Sequence, residues 1–239
     1  MMKIMLDAGH GKNTPGKRTP DGMREWEFNA KTAQYVKDYL GDYQGIETKF
    51  AHDTTGKVDI PLTSRTNAAN AWKADVYVSI HANAAGSGWS SAHGIETFTY
   101  TTKPKEAVAL AKKVQNAIVK ATGLTNRGVK AADLHVVRET HMTAILIECG
   151  FMTNKAEAAL LKSDAYRKKV ARAVVDGLAD QYNLKKKNKP KPAPKKDEPK
   201  KDSKSIHKVQ VGAFADEQNA EKLAAELKKK GYPVHIVEE

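Results

Sequence analysis

The sequence predicts an α/β protein in which helices flank a twisted, mostly parallel sheet, with a small βαβ unit at its C-terminal end. Strand-like and helix-like segments alternate over residues 1–184, as in sheets that helices cover on both faces. Residues 185–205 are rich in lysine and proline and predict an extended, solvated linker. Residues 206–239 resume the alternation on a smaller scale. We therefore expect a first domain over 1–184, a linker over 185–205 and a second unit over 206–239.

Hydrophobic periodicity defines the elements of the first domain. In the segment that begins at Glu25, residues Phe28, Val36 and Tyr39 recur at helical spacing, and Gly123 ends a later amphipathic segment. Short apolar or alternating runs predict the strands. The predicted strands are Lys3–Asp7, Ile46–Ala51, Asp75–Ile80, Gly94–Tyr100, Leu134–Val137 and Ala144–Glu148. The predicted helices are Glu25–Leu40, Leu62–Trp72, Glu106–Thr122, Ala156–Leu161 and Ala165–Tyr182.

The second unit has the pattern of one βαβ motif. Lys208–Phe214 alternates apolar and polar residues and predicts a strand, Asp216–Lys230 predicts an amphipathic helix, and Tyr232–Val237 predicts a second strand. A unit of this size is too small to bury a core comfortably by itself. We expect it either to pair with a second copy or to form part of a larger unit.

The charge of the chain is unevenly distributed. Lysine and arginine outnumber acidic residues by 40 to 28, which gives a net charge of +12. Ten lysines and three acidic residues give residues 185–205 alone a net charge of +7. Such a segment is either a basic tether for a polyanion or a solvated spacer. Because no aromatic residue lies among these lysines, the pattern does not support stacking on bases, and we expect no nucleic-acid partner.

Composition excludes several classes of protein. Hydrophobic residues make up 40% of the 239, so the chain can bury a core and is not globally disordered. A single cysteine excludes an internal disulfide framework and a zinc site made only of cysteines. Apolar runs such as Ala144–Ile147 are too short to cross a bilayer, so we expect no membrane span. The N-terminus leads directly into a strand, and we expect no secretory signal.

Four residues that can carry chemistry follow predicted strands or open a helix. His10 lies between two glycines after the first strand, Glu25 opens the first helix, His81 directly follows a later strand, and Glu148 ends another. The carboxyl ends of strands in an α/β sheet form the usual ligand crevice. Two histidines and one carboxylate suit a catalytic zinc ion, which keeps a fourth position open. Taken singly, a histidine at the end of a strand is more often structural than a metal ligand.

The acid at position 148 has two interpretations from the residues alone. It ends an otherwise apolar strand, where an acid is costly unless it is paired or functional. It is therefore either a reactive group or a structural partner for Arg65 or Arg138.

Six ordered sequence blocks resemble the zinc-dependent N-acetylmuramoyl-L-alanine amidases of the type-3 amidase family. The blocks are Leu6–Gly11, Glu25 with Asn29, Leu62 with Arg65 and Asn70, Ser79–Asn83, Gly94 with Glu96 and Thr97, and Leu146–Phe151. The resemblance covers about residues 2–183. It implies an α/β fold and hydrolysis of the amide bond between N-acetylmuramic acid and L-alanine in bacterial peptidoglycan.

The resemblance also implies roles for individual residues. His10, Glu25 and His81 match the ligands of Zn²⁺, and Glu148 matches the catalytic glutamate. Glu27 is a second acid in the same helix, but successive residues turn by about 100°, so only one of the two can face a metal. The family pattern of an acid followed four residues later by asparagine selects Glu25. Cys149 is expected to be a buried, inert thiol because its side chain points away from that of Glu148.

Residues 206–239 resemble the sporulation-related repeat (SPOR) domain, a family that binds peptidoglycan glycan strands. The match covers about half of such a domain, so the unit is expected to be incomplete. The partners implied are peptidoglycan and anionic wall polymers such as teichoic acids. We expect synthesis in the cytoplasm and action on the wall after release, as for a phage endolysin or a bacterial autolysin.

Two other functions remain open from the sequence. A zinc peptidase that cuts the stem peptide would use the same residue types. A wall-binding module without catalytic activity is the second alternative, although His10, Glu25, His81 and Glu148 form a complete set.

Overall fold

A computed structural model of the protein describes residues 1–187 and 211–236. The chain divides into two compact units, Met1–Asn188 and Lys189–Glu239. The first unit contains a six-stranded sheet with helices on both faces, which confirms the predicted α/β class. No helix in the described ranges is long and apolar enough to cross a membrane.

Strands and helices alternate along the first unit. The strands are β1 (Met2–Ala8), β2 (Ile46–Phe50), β3 (Val76–Asn83), β4 (Ile95–Thr99), β5 (Asn126–Ala131) and β6 (Thr143–Phe151). The helices are α1 (Glu25–Leu40), α2 (Leu62–Trp72), α3 (Lys105–Thr122), α4 (His135–Arg138), α5 (Lys155–Lys162) and α6 (Asp164–Tyr182), and α7 (Glu217–Lys229) lies in the second unit.

The order of strands in the sheet brings the ends of distant segments together. The order is β2-β1-β3-β6-β4-β5, and the first four strands of this order run parallel. Strand β4 is antiparallel to β6, and β5 is parallel to β4. The ends of β1, β3 and β6 therefore lie beside the beginnings of β4 and β5. We call this side of the sheet the carboxyl edge.

Alternating side chains of the central strands pack on opposite faces of the sheet. Leu6, Val78 and Ile147 belong to the larger core, which also contains residues of α1, α3 and α6. Tyr77 and Leu146 belong to a smaller core on the other face, which α2 and α4 complete. Because both faces are covered, these strands read as nearly continuous apolar runs in the sequence.

Two predictions for the first unit are wrong. Leu134–Val137 was expected to be a strand, but His135–Arg138 forms the single helical turn α4, which buries Val136 and Val137 against the smaller core. A strand was not expected at Asn126–Ala131, which forms β5. This strand lies at the end of the sheet and contains few apolar residues, so it gives no periodic signal.

The boundary of the first unit extends beyond the predicted domain end at residue 184. The Gln44 backbone N–H donates to the carbonyl of Lys185 at 2.8 Å, and the Lys187 N–H donates to the carbonyl of Asp42 at 2.7 Å. The first three residues of the expected linker therefore pair with the turn that precedes β2. The remainder of that segment, residues 188–205, lies outside the described residues.

The second unit contains the predicted helix. Asp216 caps α7 by accepting the N–H of Gln218 at 2.9 Å, and Ala224 is its one buried residue. The predicted strands Lys208–Phe214 and Tyr232–Val237 do not form in their described parts, residues 211–214 and 232–236. Their other residues lie outside the described ranges. A strand needs a paired neighbour to satisfy its backbone, and an isolated pair is marginal in water.

Candidate metal centre and active site

Three side chains from separate elements meet at the carboxyl edge. His10 follows β1, Glu25 opens α1, and His81 lies near the end of β3. Glu25 Oε1 lies 3.0 Å from His81 Nδ1, and Glu25 Oε2 lies 3.4 Å from His10 Nε2. The rings of the two histidines are perpendicular, with centroids 5.2 Å apart. One ligand atom from each residue lies within 4.8 Å of the others, so the three can bind one metal ion.

The chain turns sharply at His10 so that its ring faces Glu25. His10 has φ of 65°, the left-handed conformation that few residues other than glycine adopt. Gly9 precedes it and allows the backbone to pass directly beneath the ring of His81. A Cβ atom at position 9 would lie 2.0 Å from His81 Cε1, so only glycine fits there.

Glu25 is held in place from several sides. Its side chain is 2% exposed, and Oε1 accepts the Ala82 backbone N–H at 3.1 Å and Asn29 Nδ2 at 3.1 Å. Asn29 also donates to the carbonyl of Gly9 at 3.0 Å, which joins the helix to the loop of His10. Glu27 is exposed and accepts the N–H of Arg24 at 3.2 Å. The structure thus directs Glu25, and not Glu27, at the two histidines.

The electrostatics of the three residues suit cation binding. Burial alone would raise the pKa of Glu25, but hydrogen bonding and charge from His81 and His10 hold it at about 2. Burial lowers the pKa of His10 to about 4, so its ring is neutral near pH 7. Burial acts in the same direction on His81, but its contacts with Glu25 raise its pKa overall. The ionised Glu25 and the neutral ring of His10 therefore offer an anionic oxygen and a ring nitrogen to a cation.

Glu148 lies beside this group on the neighbouring strand. It is the register partner of His81 in the β3·β6 pair. Its Oε2 atom is buried and has no hydrogen-bond partner among the described residues. Burial, with the charges of Glu25 and Glu96, raises the pKa of Glu148 to about 8 against the opposing effect of His81.

The structural alternative for Glu148 is wrong. Arg65 pairs instead with Asp7 and Asp59, and Arg138 pairs with Asp133 and Glu139. A buried carboxyl without a compensating partner is costly, and such groups are characteristic of reactive sites.

A buried ionic network supports the backbone around His10. Arg65 is 1% exposed, and its Nη1 donates to Asp7 Oδ1 at 2.7 Å and to the carbonyl of Ala8 at 2.6 Å. Its Nη2 donates to Asp59 Oδ1 at 2.9 Å, and Ser79 Oγ donates to Asp7 at 2.8 Å. Burial opposes ionisation of Asp7, but Arg65 and Ser79 lower its pKa. Sequence analysis assigned no role to Asp7.

Cys149, the residue that follows Glu148 on β6, is not one of the side chains that form the candidate metal site. Cys149 is fully buried in the larger core, on the face opposite Glu148, and burial raises the pKa of its thiol well above the ordinary value. Its surroundings keep the thiol protonated and inert.

A second charged group at the carboxyl edge was not predicted from the sequence. Glu96 on β4 is the register partner of Glu148 in the antiparallel β4·β6 pair. It is 4% exposed and forms ion pairs with Arg127 and Lys130. Glu96 is part of the Gly94–Thr97 block, but Arg127 and Lys130 lie in the strand that gave no signal.

The carboxyl edge of this α/β sheet carries two imidazoles, one fixed carboxylate and one unpaired acid. This combination defines a hydrolase with a candidate metal site. A family profile described as N-acetylmuramoyl-L-alanine amidase matches residues 4–180, which is most of the chain. The chain therefore belongs to the N-acetylmuramoyl-L-alanine amidase family, and it is an enzyme that hydrolyses an amide bond of peptidoglycan. A SPOR domain profile matches residues 203–239.

Individual relatives agree with this assignment. The chain is 33% identical over 238 residues to the N-acetylmuramoyl-L-alanine amidase CwlM of Bacillus licheniformis, covering 99% of this chain and 85% of that one. It is 38% identical over 201 residues to the endolysin of Bacillus phage SPP1, covering 82% and 72% of the two chains. The catalytic domain of CwlV, an N-acetylmuramoyl-L-alanine amidase of Bacillus (Paenibacillus) polymyxa var. colistinus, superposes with a TM-score of 0.71 and 32% identity, covering 77% of this chain and 100% of that one.

Proposed function

We propose that Zn²⁺ held by His10, Glu25 and His81 is the cofactor of this amidase, and that Glu148 is its catalytic acid and base. The bond cleaved is the amide between the lactyl group of N-acetylmuramic acid and L-alanine. The observation that carries the proposal is the meeting of two histidines and one carboxylate beside Glu148, whose buried Oε2 atom has no hydrogen-bond partner among the described residues.

The donor set fits zinc. Two imidazole nitrogens and one carboxylate oxygen are a known ligand set for catalytic zinc, which leaves a position open. His10 is neutral near pH 7, as a ligand must be, because burial holds its pKa at about 4. Asn29 and the N–H of Ala82 fix the carboxylate of Glu25 and so reduce the entropy that metal binding costs.

Each residue then has a defined task in hydrolysis. When bound, Zn²⁺ supplies Lewis-acid chemistry, which lowers the pKa of water and offsets negative charge on the substrate carbonyl oxygen. Glu148 accepts the proton of the attacking water and delivers it to the leaving amine of L-alanine. Glu148 must be ionised to accept that proton, and the charge of a metal ion bound beside it would lower its pKa from the value of about 8 in the metal-free site.

Metal removal and analysis of end groups test this function. Treatment with a chelator is expected to abolish release of peptides from purified sacculi, and added Zn²⁺ is expected to restore it. The released peptides should carry a new N-terminal L-alanine. New termini elsewhere in the stem peptide would support the alternative of a zinc peptidase. Wall binding without any release would support a module that has no catalytic activity.

In this proposal the N-terminal part of the chain is catalytic and the C-terminal part binds the cell wall. The first unit, which extends to residue 187 rather than to the expected 184, forms the catalytic domain, the rest of the segment 185–205 forms a basic linker, and residues 206–239 form a unit that binds peptidoglycan. The matched ranges 4–180 and 203–239 and the separate compact units support this division. The similarity to a phage endolysin and to Bacillus amidases supports action on the cell wall after release from the cell.

The net charge of +12 supports anionic wall polymers such as teichoic acids as a further partner. Binding of the full chain to walls stripped of these polymers should be weaker and should depend less on salt. Equal binding at all salt concentrations would exclude this partner.

A further inference from the structure

A pair of cations beside Glu96, the cross-strand partner of Glu148, has no role in the proposed mechanism. Arg127 Nε donates to Glu96 Oε2 at 2.7 Å, and Lys130 Nζ contacts the same oxygen. The other oxygen of Glu96 accepts Asn83 Nδ2 at 2.7 Å. Both oxygens of the Glu96 carboxylate therefore have hydrogen-bond partners. Because two cations face this single negative charge, one positive charge is left uncompensated.

An irregularity in the strand brings the two cations together. Residues three apart on a regular strand point to opposite faces of the sheet. The register between β4 and β5 shifts between Ile95 and Thr97, and Gly128 has φ of 81°, so β5 carries an extra residue at that point. A bulge of this kind reverses the alternation and re-aims side chains. Arg127 and Lys130 therefore both reach Glu96.

The cations keep donors available for a ligand. The side chains of Arg127 and Lys130 are 35% and 41% exposed. Arg127 Nη1 reaches only the carbonyl of His93, at 3.3 Å, and Nη2 has no hydrogen-bond partner among the described residues. The guanidinium also lies 4.9 Å from the ring centroid of Phe151, a contact that orients its plane. A fixed, partly exposed guanidinium with a free edge is suited to a carboxylate.

The distance to the reacting centre matches a short stretch of peptide. Glu96 and Glu148 are cross-strand partners, and β5 lies two strands from β6, which is about 10 Å. An extended peptide covers about 7 Å in two residues. A stem peptide whose first amine lies at Glu148 would therefore bring its second residue within reach of Arg127 and Lys130.

We propose that Arg127 and Lys130 form a subsite that binds a carboxylate on the second residue of the stem peptide. The inference rests on the proposed function because it places the leaving amine at Glu148. The subsite selects substrates whose second residue is a free acid over those in which it is amidated. Glu96 holds the two cations in place and is itself ionised, since Lys130 and Arg127 lower its pKa against the effect of burial.

Two soluble muropeptides test the subsite. They should differ only in whether the second residue carries a carboxylate or a carboxamide, and kcat/KM is measured for each. The zinc-loaded wild-type enzyme is expected to prefer the carboxylate by about tenfold, the effect of one charge-assisted contact that is partly exposed. Arg127→Gln and Lys130→Gln should each reduce that ratio toward one. Arg127→Lys should give an intermediate ratio because it keeps the charge and loses the planar fork.

Lys120→Gln is the matched control, since Lys120 is an exposed lysine on α3 with no hydrogen bond or ion pair among the described contacts. It should retain the wild-type ratio. A wild-type enzyme that cleaves both substrates equally, or glutamine variants that both keep its preference, would overturn the subsite and leave the amidase function intact. Failure of the wild-type enzyme to release peptides from either substrate and from sacculi would overturn the proposed function instead. The two glutamine variants are independent, so misfolding of one does not remove the test.

Discussion

Asp7 and Glu148 are both acids near the carboxyl end of a central strand, but their surroundings are opposite. Asp7 is 1% exposed, and its oxygens accept from Arg65 and Ser79 at 2.7 and 2.8 Å. Glu148 has a buried oxygen with no partner among the described residues. Pairing lowers the pKa of Asp7, whereas burial raises the pKa of Glu148 to about 8. The comparison separates an acid that stabilises the fold from the one that we propose to transfer protons.

Glu148→Gln should have the largest effect and should act on turnover alone. We expect a loss of about 10³-fold in kcat, equivalent to about 4 kcal/mol in the barrier, because the amide cannot exchange the proton. The zinc content and the melting temperature should not fall, since Glu148 is not one of the three proposed ligands. Peptide release from sacculi, elemental analysis and calorimetry measure the three quantities. Activity within tenfold of wild type would show that another group transfers the proton.

Asp7→Asn should act mainly on stability. It leaves the buried Arg65 without its closest charge partner, and we expect a loss of about 3–5 kcal/mol in the free energy of unfolding. Urea denaturation of the metal-free protein measures this effect. A loss below 1 kcal/mol would mean that Asp59 alone compensates Arg65 and that the two acids differ less than their contacts suggest.

Low pH should reduce the stability of the wild-type protein through Asp7, and it should reduce the stability of Asp7→Asn less. The folded-state pKa of Asp7 lies below the model-peptide value of 3.8, so the ionised acid contributes stability above that pH. That contribution is lost as the pH falls through 3.8 toward the folded-state pKa. Denaturation of the metal-free protein between pH 5 and pH 2.5 should show a smaller decline for the variant than for wild type. If stability declined equally with pH in the two proteins, a lowered pKa of Asp7 in the folded state would be contradicted.

Cys149→Ala should have the smallest effect. The side chain lies next to Glu148 in sequence but on the opposite face of β6, in the larger core. We expect a loss of about 1 kcal/mol in stability from the small cavity, with turnover within about twofold of wild type. A large loss of turnover without loss of stability would show that the thiol takes part in the reaction.

Much of the first unit could be predicted because its strands are buried on both faces and its helices are amphipathic. Short apolar runs predicted β1, β3 and β6, the strands that carry Asp7, His81 and Glu148, although β3 and β6 each continue three residues beyond their predicted ends. The helix beginning at Glu25 was also predicted at its observed limits. The edge strand β5 and the turn α4 were not, because short elements at the border of a sheet are decided by their tertiary neighbours.

The residue types and their order in the sequence determined the fold class, the family and the set of candidate site residues. The tertiary structure alone decided which charges meet. Arg65 pairs with Asp7 from a distant segment, and the left-handed turn at His10 directs its ring at Glu25. The bulge in β5 reverses the local alternation, so that Arg127 and Lys130 lie on the same side. Periodicity records which face of its own element a residue occupies, but an ion pair depends on two elements at once. For that reason the sequence identified Glu148 as a candidate, but only the fold showed that Asp7 is paired and that Glu148 is not.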